Sequence, residues 1–505
     1  MYKADLLEKN QQYLVRILEI LYLDDGPITK QSLAKRLKIS LATLKRYLED
    51  LQTDMQVLIQ DGKISFDIKA TTVEFRVRQN FAIDSWLFER YLKISPKYQV
   101  IMFLYEHPGA STYILQEKLN LSEASLYRVI KQLNDILVEF DLTIRNGNLV
   151  GDELQIRFFY YTLFQLVNYY PQKLAADLNQ FINALQDELH FYFHSEAVHR
   201  VHLWLVISQN RANSQGRMQM KIAPKVRELY ANNELYTHVK KVFQKTFSIR
   251  SQTRSQFETE AFCVMLMSMA IFNSKTNVAR RFYDIYNSQQ TQLAQIVDEV
   301  NHTIQATLEI SDQQWPFELK KLVFDICARP FCFTGNMEYM DDLYEDYYVH
   351  HFFTSQARRV VQELMRVLRR SNMPALNALI RHNVLYFQRR LLFVVRDFRY
   401  QQIRDINIGV DTTFDYYVSQ VIIDLIRKTF KKDLRVNVNY YQPGNAYDLV
   451  LTNYHKEPYD DTDYTYWLTN IGTVHDLEAI KKIVETHFYE TTPVHRLMFK
   501  KNNIE

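Results

Sequence analysis

Apolar residues recur through most of this chain at intervals of three and four, the spacing that gathers them on one face of a helix, and one such pattern occurs twice. Leu33, Leu37, Leu44, Leu48 and Leu51 return eighty-two positions later as Leu115, Leu119, Leu126, Ile130 and Leu133, and Ser40, Ala42 and Arg46 return as Ser122, Ala124 and Arg128. Each copy predicts two short helices joined by a turn. Ser40 and Ser122 stand where the second helix begins, so their hydroxyls can cap N–H groups that a first helical turn leaves unpaired. Leu44, Leu48 and Leu51, at i, i+4 and i+7, form the stripe that packs on Leu33 and Leu37. The opposite face carries Leu41, Ala42, Lys45, Arg46 and Glu49 in the first copy, and Glu123, Ser125, Tyr127, Arg128 and Lys131 in the second.

Turn dipeptides between apolar runs follow both copies. Val57-Leu58-Ile59 and Ile64-Ser65-Phe66-Asp67-Ile68 flank Asp61-Gly62, and Leu142-Thr143-Ile144 and Leu149-Val150 flank Asn146-Gly147. Asp-Gly and Asn-Gly favour tight hairpins, so each copy is expected to end in a β-wing. Residues 1–80 and 81–155 thus read as two winged helix-turn-helix domains. From 156 to 400 the pattern is helical with short polar breaks, which fits two bundles, 156–277 and 278–400. In 401–505, Asp405–Val410, Leu434–Tyr440 and Tyr447–Thr452 alternate as strands around an amphipathic stretch from Phe414 to Phe430, predicting a small parallel sheet. The expected fold is mainly α and multidomain, with an α/β domain at the C-terminal end.

Composition narrows the function classes. Ten glycines in 505 residues, without GxGxxG or P-loop spacing, speak against a phosphate-cradling enzyme. Cys263, Cys327 and Cys332 lack metal-ligand spacing and cannot all pair, which suits a reducing cytoplasm. No signal peptide opens the chain, and the longest apolar run, Ala261–Phe272, falls short of the roughly 20 residues a bilayer requires. Neither a metal, a cofactor nor a membrane is expected.

The duplicated outward faces point to double-stranded DNA. A helix presenting short residues, a hydroxyl and long cations can enter the roughly 12 Å major groove. Base readout is expected from Thr43, Lys45 and Arg46 and from Ser125, Tyr127, Arg128 and Lys131, with Lys63 and Arg145 of the wings on phosphates. Acidic residues nearly balance the bases across the N-terminal third and the whole chain carries +3, so affinity should be modest and sensitive to salt.

The tandem winged units, the phrase Leu149-Val150-Gly151-Asp152-Glu153-Leu154-Gln155-Ile156-Arg157 and the phrase Leu203-Trp204-Leu205-Val206-Ile207-Ser208-Gln209-Asn210-Arg211 resemble the Mga/AtxA family of Gram-positive transcriptional (virulence) regulators. The resemblance implies two PTS regulation domains (PRDs) in the helical middle and a C-terminal domain similar to the EIIB component of the sugar phosphotransferase system. It further implies a homodimer or larger homo-oligomer, RNA polymerase as a partner, activation rather than repression, and control by the phosphocarrier HPr, which phosphorylates helical histidines. The candidates are His199 and His202, with His238 behind them, and His382, with His302, His350 and His351 as competitors; Arg200 and Arg381 could hold a phosphate. Where a catalytic EIIB domain would carry its nucleophile this chain has Asp411-Thr412-Thr413, and no cysteine follows Cys332, so phosphotransfer is expected to be lost and the fold kept as an interaction platform. The chain therefore reads as a regulator without enzymatic activity.

Two rival readings are an RNA-binding antiterminator, which shares PRDs but not duplicated winged units, and a non-catalytic PTS-linked scaffold, which leaves the basic helix faces unexplained. The aromatic cluster Tyr339, Tyr344, Tyr347, Tyr348, Phe352 and Phe353 is too rich in neighbouring carboxylates for a nucleic-acid stacking surface, and Tyr459–Tyr464 lacks calcium-loop spacing.

Overall fold

The computed structural model describes the chain except residues 25, 78–81, 170–175, 213–219, 232, 248–250, 338–348, 350–352, 354, 403–404, 431–435, 455–458, 460–461, 469–472 and 485–505. It divides into two compact units, Met1–Val300 with Lys320–Phe352 and Ser371–Phe387, and Asn301–Leu319 with Phe353–Arg370 and Gln388–Glu505.

The first unit opens with a 3-10 turn, Lys3–Leu6, and then α1 (Lys9–Leu23), β1 (Ile28–Thr29), α2 (Lys30–Leu37), α3 (Leu41–Asp54) and α4 (Gln56–Gln60), followed by the strands β2 (Ile64–Ile68) and β3 (Thr72–Val77). Val57-Leu58-Ile59, expected as a strand, is helical. Gly62 at φ +69° lets the Lys63 N–H reach back to the Leu58 carbonyl at 3.0 Å, so Asp61-Gly62 terminates a helix instead of turning a hairpin. The wing is the next pair of strands, with Ile68 opposite Val73, Ala70-Thr71 at its tip and β1 on its outer edge. Its second strand alternates visibly, Val73, Phe75 and Val77 against Thr72, Glu74 and Arg76.

The second copy follows α5 (Ile83–Ile94) and α6 (Pro96–Glu106) with α7 (Thr112–Leu119), α8 (Glu123–Leu137), β4 (Thr143–Arg145) and β5 (Asn148–Val150). Here the hairpin falls where Asn146-Gly147 places it, both residues at positive φ (50° and 73°) as a type I′ turn demands.

The helical middle begins with α9 (Glu153–Leu166), buried on every side: Phe158, Phe159, Tyr160, Tyr161, Leu163 and Phe164 are fully enclosed. Around it and beyond it run α10 (Ala176–Leu189), α11 (Ser195–Ala212), α12 (Pro224–Arg227), α13 (Glu234–Thr246), α14 (Gln252–Ser268), α15 (Asn277–Asn287), α16 (Gln292–Leu308) and α17 (Phe317–Cys332). Four charged side chains enter this core and are paired with one another. Arg157 on α9 is bidentate to Glu258 on α14 (2.6 and 2.7 Å) and donates to Glu153 (3.0 Å) and Ser208 (3.1 Å), while Arg211 on α11 binds the other side of Glu153 at 2.7 Å. All four charged groups lie under 10 % exposed.

The segment after α17 reaches back to the second winged unit. Phe333 stacks on Phe158 at 4.3 Å, Thr334 exchanges backbone bonds with the Gln155 amide and donates to Asp141, and Asn336 donates to the Met1 carbonyl. Gly335, at φ +105°, lies so close to Phe140 that a Cβ would fall 2.4 Å from its ring. Only glycine fits both constraints.

Further helices are α18 (Ser355–Leu368), α19 (Pro374–His382) and α20 (Val384–Gln402). In the second unit the Trp315 indole donates to Asn301 at 2.9 Å and packs on Phe398. The C-terminal fold is β6 (Ile406–Asp411), α21 (Tyr416–Thr429), β7 (Val436–Tyr440), β8 (Tyr447–Thr452), β9 (Thr462–Trp467) and α22 (Val474–Ile483). Its sheet is parallel in the order β7-β6-β8-β9. The parallel sheet agrees with the sequence pattern, but β9 falls in the acid-aromatic stretch that the pattern leaves unassigned; Leu434 and Arg435, expected to begin β7, lie outside the described residues, as do most of the Tyr339–Phe352 cluster. Ile406, Ile408, Ile422, Ile426, Leu449 and Ile480 share one core, and Tyr447, Val450 and Tyr459 a second.

Candidate nucleic-acid interface

The duplication extends to individual hydrogen bonds. Thr29 and Ser111 cap α2 and α7, and both helices end on a left-handed residue at the same position, Lys38 (φ 55°) and Asn120 (φ 51°). The Ile39 N–H then returns to the Ala34 carbonyl and the Leu121 N–H to that of Gln116, each at 3.1 Å. Ser40 accepts from the Thr43 N–H at 3.1 Å and Ser122 from the Ser125 N–H at 3.2 Å. This turn sets the angle between the two helices and leaves the start of α3 and α8 to solvent.

Their outward faces are open. Leu44, Leu48 and Leu51 are buried beneath α3, as are Leu126 and Leu133 beneath α8, whereas Lys45, Arg46, Glu49, Tyr127, Arg128 and Lys131 are exposed and Thr43 and Ser125 half-buried at the caps. Lys45 and Glu49 stand 3.9 Å apart, and the Arg46 guanidinium lies 5.1 Å from the Tyr47 ring centre. Tyr127 is 73 % exposed on α8, and Tyr113, which the sequence reading does not single out, is 71 % exposed at the start of α7.

The wings differ. Lys63 lies between α4 and β2, with Asp61 at 3.2 Å, at the base of the first wing and not on its tip. The cations on that hairpin are Lys69 and Arg76, both paired with Glu74, whose carboxyl is held below its usual range first by the Lys69 hydrogen bond and then by the Arg76 charge. The expected wing, centred on Asp61-Gly62, leaves both out, although the alternation of Thr72–Val77 marks a strand there. On the second wing Arg145 is exposed beside the turn, and the Asn134 side chain of α8 clasps both the N–H and the carbonyl of Ile144, fixing wing to helix. The wing tip rests on the loop before α7: a Cβ on Gly147 would fall 2.5 Å from the Ala110 carbonyl oxygen. Gly147→Val should therefore lower stability by about 1–3 kcal/mol through backbone strain and push the wing outward. Thermal unfolding checks this; an unshifted midpoint would show that the tip is not packed as described.

The histidines are scattered. On α11 His202 is buried and His199 half-buried, and both are held below the usual imidazole range by burial, His199 further by Arg200 and His202 by His199. Arg200 spends its guanidinium on the Met269 and Ala270 carbonyls. His238 is 2.9 Å from Glu188. His382 is exposed at the end of α19 beside Arg381, and His302 is exposed on α16; His350 and His351 lie outside the described residues. At the C-terminal end of β6, Asp411 accepts from the Tyr454 and Tyr459 hydroxyls at 2.9 and 2.7 Å, and Thr413 is bonded to Asn453. Among the described residues no three His, Cys, Asp or Glu side chains are grouped to hold a metal ion, and no helix is long and apolar enough to cross a membrane.

Comparison with known proteins singles out the same region. Residues 79–164 match the Mga helix-turn-helix domain and residues 14–71 an HTH domain. Over 170 residues the chain is 22 % identical to a trans-acting regulator of Streptococcus pneumoniae serotype 4, a stretch covering 33 % of this chain and 33 % of that relative.

Proposed function

We propose that this chain, of the Mga family through its helix-turn-helix domain, is a transcriptional regulator that grips duplex DNA with α3 and α8. The reading rests on one observation above others. Two copies of the same turn, alike to their hydrogen bonds, each present an exposed arginine at the same place, Arg46 and Arg128. In this reading Thr43, Lys45, Arg46, Ser125, Tyr127, Arg128 and Lys131 meet base edges, while Arg145 and the first wing's Lys69 and Arg76 meet phosphates, with Lys63 nearer the base of that wing. The relative's name, a trans-acting regulator, supports the role.

The remaining parts are assigned by the same reading. Residues 156–277 and 278–400 act as PRD-type bundles and 401–505 as an EIIB-like platform for self-association, the chain working as an activator with RNA polymerase. His382 is the preferred site for HPr because its ring is open, whereas His202 would have to leave the core to be phosphorylated. Two negative charges on His382 beside Arg381 would be enough to repack a helical interface.

A mobility shift of the full chain against random duplex, single-stranded DNA and RNA over a salt series tests the proposal. Duplex should be preferred, with affinity falling steeply as salt rises. Preference for RNA would instead support an antiterminator, and no binding to any of the three a scaffold.

A further inference from the structure

Outside the winged units one cation-rich stretch is built from arginine alone. Between positions 355 and 402 stand ten arginines, no lysine and two carboxylates, in a chain whose overall balance is only +3, so the remainder is net acidic. Within this stretch α18 is amphipathic. Ala357, Val361, Leu364, Met365 and Leu368 are buried, whereas Arg359, Gln362, Arg366, Arg369 and Arg370 are exposed. Backbone bonds from Arg369 to Met365 and from Arg370 to Val367 continue the helical turn past Leu368. The exposed residues therefore fall at i, i+3, i+7, i+10 and i+11 and form a single stripe roughly 17 Å long at 1.5 Å per residue. Glu363, beside the stripe, is already paired with Arg366.

Folding does not require this stripe. The apolar side holds the helix in place, and crowding like charges on the other side opposes its formation. The helix dipole welcomes cations in the last turn, which accounts for Arg366, Arg369 and Arg370, but it gives no reason for Arg359 in the second turn. The exclusive use of arginine is also informative. A guanidinium presents a planar fork that binds two oxygens of one phosphate, which an ammonium cannot do. A stripe about 17 Å long matches about five phosphates of one strand at 3.4 Å of helix axis each.

We propose that the arginine face of α18 is a phosphate-backbone site for duplex DNA, a third point of attachment that reads no bases and supplies affinity common to all sequences. It rests on the regulator reading above. In the full chain, R359Q/R366Q/R369Q/R370Q should leave thermal unfolding unchanged, since the four side chains are exposed and glutamine suits a helix. Its binding to random duplex should weaken at least tenfold, and the slope of log affinity against log salt should become shallower by about 3–4, close to 0.9 for each phosphate that is no longer neutralised. The weakening should be equal for every duplex sequence, and a variant with lysine at the four positions should keep most of the slope. An unchanged slope, with wild type binding duplex normally, overturns the site and leaves the regulator reading standing. If the variant keeps its slope but no longer self-associates, the face belongs to a second copy of the chain and the site is again overturned. Failure of the wild-type chain to bind duplex at all overturns the regulator reading and this site with it.

Discussion

Replacing Arg46 and Arg128 together by alanine should lower duplex affinity by two to four orders of magnitude while leaving the unfolding curve in place. Each arginine lies on the open side of its helix, with the leucine stripe on the other side. A base-reading arginine contributes about 1–3 kcal/mol, so removing two amounts to about 2–6 kcal/mol of binding free energy. Against this, the folded state gives up little. The packing of Arg46 on the Tyr47 ring, at 5.1 Å, is worth about 0.5–1 kcal/mol at an exposed site. Fluorescence anisotropy with a labelled promoter fragment at physiological salt measures the difference, and undiminished binding by the double variant would remove both helices from the interface. The single variants add information. If the two units grip independently, their effects should sum; if one unit merely packs against its neighbours, its single variant should be silent.

Arg157→Met is expected to have the largest effect on stability, a loss of about 3–5 kcal/mol, because it strips a buried carboxylate of its partner. Glu258 holds both forks of the Arg157 guanidinium at 2.6 and 2.7 Å and Glu153 takes its Nε, in a cluster with no side chain more than about a tenth exposed. Removing the arginine leaves two enclosed carboxylates with Arg211 alone to balance them among these four groups. Replacing all four charged residues by apolar side chains of matching volume should be far milder, neutral or even stabilising, since no charge is then stranded. Chemical denaturation of both variants separates the two cases. A single variant within about 1 kcal/mol of wild type would mean that water reaches the cluster.

The turn chemistry of both winged units is legible in the sequence because it is local: a serine, a left-handed residue and a leucine stripe lie within about twenty positions. The same locality misleads at Asp61-Gly62. A glycine at positive φ serves a helix end as well as a hairpin, and only the pairing of Ile64–Ile68 with Thr72–Val77 decides between them. Strand β9 escapes notice because it lies at the sheet's edge, where Tyr464, Thr465 and Trp467 are exposed and Thr462 and Tyr466 half-buried, and it shows no apolar run. Buried chemistry is hidden for a different reason. Nothing near Arg157 in the chain announces Glu258, 101 positions away, and nothing near His202 says that its ring is enclosed. The arginine stripe of α18 could be read from spacing alone; an overall charge near zero conceals it, because the acids that cancel it lie elsewhere.

The embrace of Phe140 by Gly335, with Thr334 donating to Asp141 across 193 positions, also orders events in time. A ribosome adding about 5–20 residues per second needs roughly 10–40 s to get from one side of that junction to the other. Throughout that interval the nascent second winged unit carries an uncovered aromatic floor. The contacts of Thr334 and Gly335 close over it only once that later segment has been made, so the second winged unit acquires its full packing long after its own residues.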